Sequence, residues 1–152
     1  MKLDSYVDFF RQTSPYIHKH RGKTFVIALD GDTVTHANFH RTIHDIALLQ
    51  SLGIRIVLVH GGRLQIDQRI AQSGEQSQFH NQLRVTNTTA MQSVKEALGS
   101  TRWQIEAELS TGLPNSPMHG AKIKAIGGNF ITAKPIGILN GVDYQHTGEV
   151  RG

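Results

Sequence analysis

The 152-residue chain is predicted to adopt an α/β fold of three layers (αβα), with a mainly parallel sheet between helices and one additional helix at the N-terminus. Two short apolar runs, 24–29 and 54–60, have the length and the β-branched content of buried strands. Amphipathic segments at 38–52 and 64–73 alternate with them, and this order with short connections predicts parallel pairing. The chain stops directly after a strand-like segment, so we expect a fold that is incomplete at its C-terminus.

The N-terminal segment, residues 1–22, is predicted to be helical and distinct from the α/β unit at 23–152. Over 3–12 the apolar side chains recur at positions i, i+3, i+4 and i+7, as in an amphipathic helix: Leu3, Tyr6, Val7 and Phe10. The Ser-Pro pair at 14–15 suits an N-cap followed by a first helical position. We therefore expect a second, short helix over 15–20, set at an angle to the first.

The middle of the chain holds the connections that matter most for a ligand. The first strand ends at Asp30-Gly31, Asn38 is placed to cap the following helix, and Gly53 is placed to end it. The second strand ends at Gly61-Gly62, and the next helix begins at once. Parallel strands bring these two ends to the same side of the predicted sheet.

The last third is predicted to change from helices to hairpin strands. Helices are expected at 88–98 and 101–111, because a Thr or Ser stands within the two residues before each segment. Apolar segments at 121–126 and 130–133 flank a Gly-Gly-Asn turn, which predicts a β-hairpin. A further strand is expected near the end of 141–150.

The composition excludes several classes of protein. The chain has no cysteine, which excludes a disulfide scaffold, a thiolate nucleophile and a cysteine zinc site. No apolar run approaches the roughly 20 residues of a membrane-spanning helix, so we expect no membrane partner and a cytoplasmic location. The net charge is +4, but the positive residues are scattered and aromatic residues make up only 7%, which favours small anions over nucleic acid as ligands.

The strongest candidate for a ligand site is the turn Gly61-Gly62 with Arg63, where the second strand passes into a helix. Ligands of open α/β sheets bind beyond the carboxyl ends of the strands. The glycines allow close approach, the helix N-terminus offers free N–H groups, and Arg63 can hold an anion. A purely structural tight turn explains the spacing equally well, because the motif is neither GxGxxG nor a P-loop.

Three other positions bear on this site. Ala28 and Asp30 stand at the end of the first strand, where a phosphoryl-transfer site needs cations, and Asp30 would repel a phosphate. Arg84 is expected in a loop before a helix. It is a solvated residue there unless the fold returns it to the Gly61-Gly62 turn.

The histidines and Tyr16 receive weaker interpretations. His36, His40 and His44 recur every four residues, but no Glu completes an HExxH motif, so we expect a solvated face and no metal site. Tyr16 is expected either to be half-buried under the short helix or to line a ligand site. No Ser-His-Asp arrangement or carboxylate pair stands out, and we assign no catalytic residue.

Several motifs, in this order and at this spacing, resemble the amino-acid kinase fold of acetylglutamate kinases: His18 to Ile27, Val59 to Arg63, and Leu83 to Thr86. Three further segments are more similar to the kinase-like domain of bacterial N-acetylglutamate synthases: Ser14 to Ile17, Gly128 to Ile131, and Gly141 to Val150. The resemblance covers almost the whole chain, and the last segment is highly specific.

The resemblance implies a regulatory role for this chain rather than a catalytic one. In these synthases a separate C-terminal acetyltransferase domain, absent from this sequence, transfers the acetyl group of acetyl-CoA to L-glutamate in the first step of arginine biosynthesis. The kinase-like domain binds L-arginine as a feedback inhibitor. The resemblance therefore implies an arginine-sensing, non-catalytic segment without a cofactor of its own. Its N-terminal helix would link dimers into hexamers through Leu3, Tyr6, Val7 and Phe10.

The resemblance also assigns a degenerate phosphate site to the first strand end. The kinases have a lysine that contacts the transferred phosphate where this chain has Ala28. They have a glycine pair where it has Asp30 and Gly31. Tyr16 matches a helix region that lies beside the arginine effector in arginine-sensitive members.

The second strand end and Arg84 match the pocket in which the kinases hold the acylated amino acid. Gly61, Gly62 and Arg84 occupy matching positions, whereas Arg63 replaces a third glycine. Two other functions stay open: a catalytic acetylglutamate kinase, against which Ala28 speaks, and a stand-alone binding module that oligomerises through 3–12.

Overall fold

The structure is a computed structural model that describes residues 3–111, 119–120 and 123–151. The helices in these residues are α1 (Leu3–His20), α2 (Gly31–Thr35), α3 (Phe39–Ser51), α4 (Arg63–Gln72) and α5 (Thr88–Ser110). The strands are β1 (Thr24–Leu29), β2 (Arg55–His60), β3 (Gln78–His80), β4 (Leu83–Val85), β5 (Thr132–Pro135), β6 (Ile138–Leu139), β7 (Val142–Asp143) and β8 (Gly148–Arg151).

The pairing of β1 with β2 confirms the predicted parallel strands. They run in register from Thr24 opposite Arg55 to Leu29 opposite His60. α3 lies in the connection between them, with Asn38 at its N-cap position, although the Asn38 side chain makes no capping bond. The order β1, α3, β2, α4 therefore forms the predicted α/β unit, to which the short α2 is added.

One face of the β1–β2 sheet is buried and the other is exposed. The buried face packs against apolar side chains of α2, α3 and α5: Val34, Phe39, Ile43, Ile46, Ile105 and Leu109. Its own residues are Ile27, Leu29, Ile56 and Leu58. The opposite face carries Val26, Val57 and Val59, and Val26 is 68% exposed. The described helices thus cover the sheet on one side.

α1 is one continuous helix, so the predicted break before Pro15 is wrong. Pro15 lies inside the helix and removes one backbone N–H donor. The Ser14 hydroxyl donates to the carbonyl oxygen of Phe10, and Thr13 makes the same bond to Phe9, both at 2.8 Å. These bonds to the preceding turn keep Ser14 within the helix, where it cannot cap a new one.

α5 is also a single helix where two were predicted. The Thr101 hydroxyl donates to the carbonyl oxygen of Ala97 at 2.9 Å, within the helix. The buried positions continue at spacings of three or four residues along its whole length: Ala90, Ser93, Ala97, Thr101, Ile105 and Leu109. This uninterrupted stripe outweighs the local capping signal of Ser100. A side-chain N-cap forms at the start of the whole helix, where Asn87 accepts from the N–H of Ala90 at 2.7 Å.

The hairpins of the C-terminal half differ from the prediction. Residues 123–131 form no strand, so the hairpin expected around the Gly-Gly-Asn turn is wrong, and its positions 121–122 lie outside the described residues. Instead β6 and β7 pair around Asn140-Gly141, whose φ angles of 52° and 79° suit a tight hairpin turn. β5 pairs with β8, which is the strand expected near the end of 141–150.

A further hairpin, β3–β4, was not predicted. It is antiparallel and turns through Asn81 and Gln82, both with positive φ. Arg84 therefore lies in a strand, and its predicted place in a loop is wrong.

Candidate functional site

The carboxyl ends of β1 and β2 meet, as the sequence predicts. The N–H of Gly61 donates to the carbonyl oxygen of Leu29 at 2.7 Å. A Cβ built on Gly61 lies 3.5 Å from the backbone nitrogen of Gly31 and 3.7 Å from Cα of Asp30. We call these two segments, 28–31 and 61–63, the strand ends, because each spans the point where a strand passes into a helix.

The two glycines of the second strand end differ in what requires them. A Cβ on Gly62 would lie 2.5 Å from Cδ2 of Leu98, so the absence of a side chain there lets α4 pack on α5. A Cβ on Gly61 would make only ordinary contacts of 3.5–3.7 Å, and its φ is not positive. Packing therefore explains Gly62. Gly61 instead leaves the strand ends open to an approaching group.

Gln65 ties α4 to the first strand end. Its Nε2 donates to the carbonyl oxygen of Gly31 at 2.8 Å, while its Oε1 is buried and has no hydrogen-bond partner among the described residues. A Cβ on Gly31 would collide with this oxygen. A side chain at Gly31 would therefore displace the carboxamide of Gln65 from its contact with the first strand end.

The first strand end supplies no positive charge from its two key positions. Ala28 is exposed and pairs with Val59 in the sheet register. Asp30 is exposed at the N-cap of α2, where its side chain makes no capping bond. An exposed carboxylate beside the Gly61 turn disfavours a phosphate at this place.

Arg84 is brought to α4, but its guanidinium is already bound. Its Nη1 lies 2.7 Å from Oδ1 of Asp67 and also donates to Oγ of Ser77, and the Arg84 side chain is only 11% exposed. The Ser77 hydroxyl donates to Asp67 at 2.6 Å. We call Asp67, Ser77 and Arg84 the arginine cluster. It satisfies much of the bonding capacity that a ligand carboxylate would use.

The arginine cluster lowers the pKa of the Asp67 carboxyl. Partial burial raises its pKa, but hydrogen bonds from Arg84 and Ser77 and the positive charges of Arg84 and Arg63 lower it more. The net pKa of Asp67 therefore lies below that of an ordinary aspartate. It is ionised at neutral pH and is the charged partner of Arg84.

Phe79 on β3 brings the two candidate arginines together. The guanidinium carbon of Arg63 lies 4.9 Å from the ring centroid of Phe79, and that of Arg84 lies 4.7 Å from it. Both distances are within the range of cation–π attraction. Arg63 is exposed and forms no ion pair with any other described residue, so it is the more available cation.

The segment that the resemblance marks as highly specific fastens the β3–β4 hairpin. The Tyr144 side chain is fully buried, and its hydroxyl donates to the carbonyl oxygen of His80 at 3.2 Å. The Thr147 hydroxyl donates to the carbonyl oxygen of Arg84, and it accepts from the N–H of Thr86 at 3.2 Å. We call Tyr144 and Thr147 the latch, because they fix both strands of the hairpin.

Tyr16 lies apart from these contacts, on α1. It is 68% exposed, so the expectation of a half-buried ring is wrong. The helix also exposes Tyr6, Val7 and Phe10, and Phe9 beside them. The roles of Tyr16 at an effector site and of this face in oligomerisation stay predictions.

Two kinds of feature are absent from the described segments. They contain no group of three or more His, Cys, Asp or Glu side chains placed to hold a metal ion. Within the same segments, no helix has the length and apolar character to cross a membrane.

Sequence reasoning missed most partners of Arg84. Asp67, Ser77 and Phe79 lie on different elements from Arg84, and no local motif connects them. Thr147 is 63 residues away. The specificity of the segment around Thr147 was a signal of importance, but it gave no indication of a structural role.

Comparison with known proteins identifies the class. The model of the amino acid kinase family matches residues 23–151, and the chain belongs to this family. Two solved structures of N-acetylglutamate synthase from Neisseria gonorrhoeae match it with a TM-score of 0.79 and 34% identity, over 96% of this chain and 34% or 32% of theirs. One was complexed with coenzyme A and L-arginine, the other with coenzyme A and N-acetyl-glutamate. The predicted fold class, an α/β fold of the amino acid kinase type with an N-terminal helix, is thus confirmed.

The chain is also similar in sequence to bacterial amino-acid acetyltransferases. The chain is 51% identical over 149 residues to amino-acid acetyltransferases of Pseudomonas syringae pv. syringae and Azotobacter vinelandii, and 50% identical to that of Pseudomonas aeruginosa. Each match covers 98% of this chain and 34% of the relative. The chain thus spans about a third of the length of these relatives.

Proposed function

We propose that this chain is the regulatory, arginine-sensing part of an N-acetylglutamate synthase, which acetylates L-glutamate with acetyl-CoA in the first step of arginine biosynthesis. The observation that carries the proposal is 50–51% identity to amino-acid acetyltransferases over 98% of the chain. The matched third contains an amino acid kinase fold, and we assign the acetyl transfer to another part of the protein. On this proposal acetyl-CoA and glutamate are substrates of the parent enzyme, and the chain alone is not catalytic.

The strand ends support a regulatory over a kinase function. Phosphoryl transfer depends on cations that offset the charge of the transferred group. Position 28 carries alanine and position 30 carries an exposed carboxylate beside Gly61. We therefore interpret Ala28, Asp30 and Gly31 as a vestigial phosphate site.

The former amino-acid pocket is proposed to be altered in the same way. Arg84 is held by Asp67 and Ser77, so a carboxylate at this end of the sheet would meet Arg63 and the N–H groups at the start of α4. Of the four predicted pocket residues, Gly61 and Arg63 remain open to a ligand, whereas Gly62 and Arg84 are used in packing and pairing.

Regulation on this proposal is a shift between arrangements of subunits. L-arginine lowers activity if it binds the less active arrangement more tightly, and its effect is limited by that difference in affinity. The exposed aromatic face of α1 is the surface we assign to contacts between copies. Tyr16, on the same helix, is the residue we place beside the effector.

The test joins this chain to the part of the Pseudomonas aeruginosa acetyltransferase that follows the matching segment. CoA release from acetyl-CoA and L-glutamate is measured with and without L-arginine. We expect turnover that L-arginine lowers, and a weaker response in Tyr16→Ala. Trp103→Ala is the matched control, because Trp103 is an equally exposed aromatic residue on α5.

An active fusion whose rate is the same at every arginine concentration would contradict the regulatory role. A loss of response in Trp103→Ala as large as in Tyr16→Ala would contradict the assignment of Tyr16. The unmodified Pseudomonas aeruginosa enzyme, assayed in parallel, shows the response of the same acetyltransferase part with its own regulatory segment.

A further inference from the structure

α3 carries two histidines one turn apart on the same side of the helix, His40 and His44. Their ring centroids lie 5.9 Å apart. His40 is exposed and His44 is half-buried, and neither belongs to the buried stripe with which α3 covers the sheet. The pair is therefore accessible from solvent and rests on a helix whose other side is anchored in the core.

The hydrogen bond of His40 leaves a nitrogen free for a metal. Nδ1 of His40 lies 3.2 Å from the carbonyl oxygen of Ala37. A carbonyl oxygen only accepts, so in the neutral ring Nδ1 carries the proton and Nε2 keeps its lone pair. Histidines that bind metals usually have this arrangement, with the second ring nitrogen donating to a carbonyl or carboxylate.

His36 continues the same spacing, but its Nδ1 accepts a hydrogen bond where that of His40 faces a carbonyl oxygen. It caps the C-terminus of α2 with an extended backbone, ψ 142°, so it does not share the helix with His40. The N–H of Asn38 donates to its Nδ1 at 3.1 Å. The lone pair of Nδ1 is thus used, and in the neutral ring Nε2 carries the proton.

We propose that His40 and His44 form a two-nitrogen site for a divalent transition-metal ion, with water completing the coordination. Imidazole nitrogens suit Zn²⁺, Ni²⁺ and Cu²⁺, whereas Mg²⁺ and Ca²⁺ prefer oxygen ligands. A shared ion would sit about 2.0–2.1 Å from one nitrogen of each ring, and the spacing of four residues places both rings on the same side of the helix. The described residues supply no third ligand, so the site is open on its outer side.

This inference revises the expectation of a solvated histidine face and is independent of the proposed function. A bound ion would join the first two turns of α3. The same turns hold Phe39 and Ile43 against the sheet, so the ion stabilises the folded chain in proportion to its binding.

The test is a calorimetric titration of the untagged, purified chain with NiCl₂. We expect one ion per chain. His40→Ala and His44→Ala should each weaken binding by about tenfold or more, as for the loss of a ligand. His36→Ala is the matched control and should change the affinity by less than twofold. CuCl₂ should bind more tightly than NiCl₂, and MgCl₂ should give no signal.

Unchanged affinity in His40→Ala or His44→Ala would overturn the site, since seven of the nine histidines of the chain lie elsewhere and could bind nickel there. An equal loss in His36→Ala would overturn the assignment to this pair. His40→Gln and His44→Gln, with circular dichroism of every variant, separate loss of the ligand from loss of the fold. Nitrogen NMR with ZnCl₂ gives a second readout: a zinc-dependent change at Nε2 of both rings is expected, and proton loss from Nδ1 of His40 would contradict the proposal.

Discussion

The strand ends and the arginine cluster both contact α4, yet they use their charges in different ways. At the strand ends Asp30 and Arg63 are exposed, and neither forms an ion pair with another described residue. In the arginine cluster Arg84 is 11% exposed and is bound to Asp67 and Ser77, while the latch fixes its backbone. The charges of the strand ends are open to solvent, whereas those of the arginine cluster have hydrogen-bond partners within the protein.

The sequence predicts one pocket for residues that include Arg63 and Arg84. The difference shows that some of them are available to bind a ligand, whereas others stabilise the fold. A charged group whose hydrogen bonds are already made contributes to stability, whereas a free one is available to a ligand. Arg84 and Arg63 touch the same ring, Phe79, but we expect a change at Arg84 to alter folding and a change at Arg63 to alter mainly binding.

The largest effect is expected from the latch. Tyr144→Ala removes a fully buried aromatic side chain and should lower the free energy of unfolding by about 3 kcal/mol, measured by urea denaturation. Tyr144→Phe removes only the hydroxyl bond to His80 and should cost about 1 kcal/mol. Equal stability of Tyr144→Ala and the unaltered chain would show that this segment does not hold the hairpin.

The next effect should come from the cluster. Arg84→Ala leaves the carboxyl of Asp67 without its main partner, and we expect a loss of about 1.5–3 kcal/mol, the range for a hydrogen bond between charged groups. A double-mutant cycle with Asp67→Asn isolates the pair from other consequences of each change. Additive losses in that cycle would mean that the two side chains do not interact.

The same pair should make stability depend on pH. The folded-state pKa of Asp67 is lowered, so its contribution is complete above the pKa of the unfolded chain and is lost as the pH falls through the folded-state pKa. The Asp67 side chain is 39% exposed, so solvent screening keeps the effect below about 1 kcal/mol. The free energy of unfolding of Asp67→Asn, measured at several acidic pH values, should depend less on pH than that of the unaltered chain. An identical pH dependence would show that Asp67 does not contribute to it.

The smallest effect on folding should come from the open region. Arg63→Ala loses an exposed cation–π contact with Phe79 and should lower stability by no more than about 0.5–1 kcal/mol. Thermal denaturation of Arg63→Ala beside Arg84→Ala sharpens the comparison. A larger loss at Arg63 than at Arg84 would reverse the roles assigned to the two regions.

The sequence predicts the elements whose signal is local and repeated. β1, α3, β2 and α4 appear where the apolar runs place them. The first three bury one face in the same core, and α4 buries Ile70 outside it. The predicted helix breaks at Ser14 and Ser100 were wrong. A residue that could cap a new helix does not end the existing one when the hydrogen bonds or the buried stripe continue through it.

The candidate site was predictable only where it is contiguous in sequence. The Gly61 turn and its meeting with Asp30 follow from parallel pairing of neighbouring strands. The partner of Arg84 does not follow from any local pattern, because Asp67 is supplied by α4 and the strand that carries Arg84 is fixed by Thr147 from the far end of the chain.

The most direct test of the account asks which group the protein transfers. The fusion of this chain with the remaining part of the Pseudomonas aeruginosa acetyltransferase is supplied first with acetyl-CoA and L-glutamate, then with MgATP and N-acetyl-L-glutamate. We predict CoA release in the first reaction and no ADP above background in the second. ADP formation that depends on N-acetyl-L-glutamate would contradict the loss of kinase chemistry at Ala28 and Asp30, and with it the regulatory assignment.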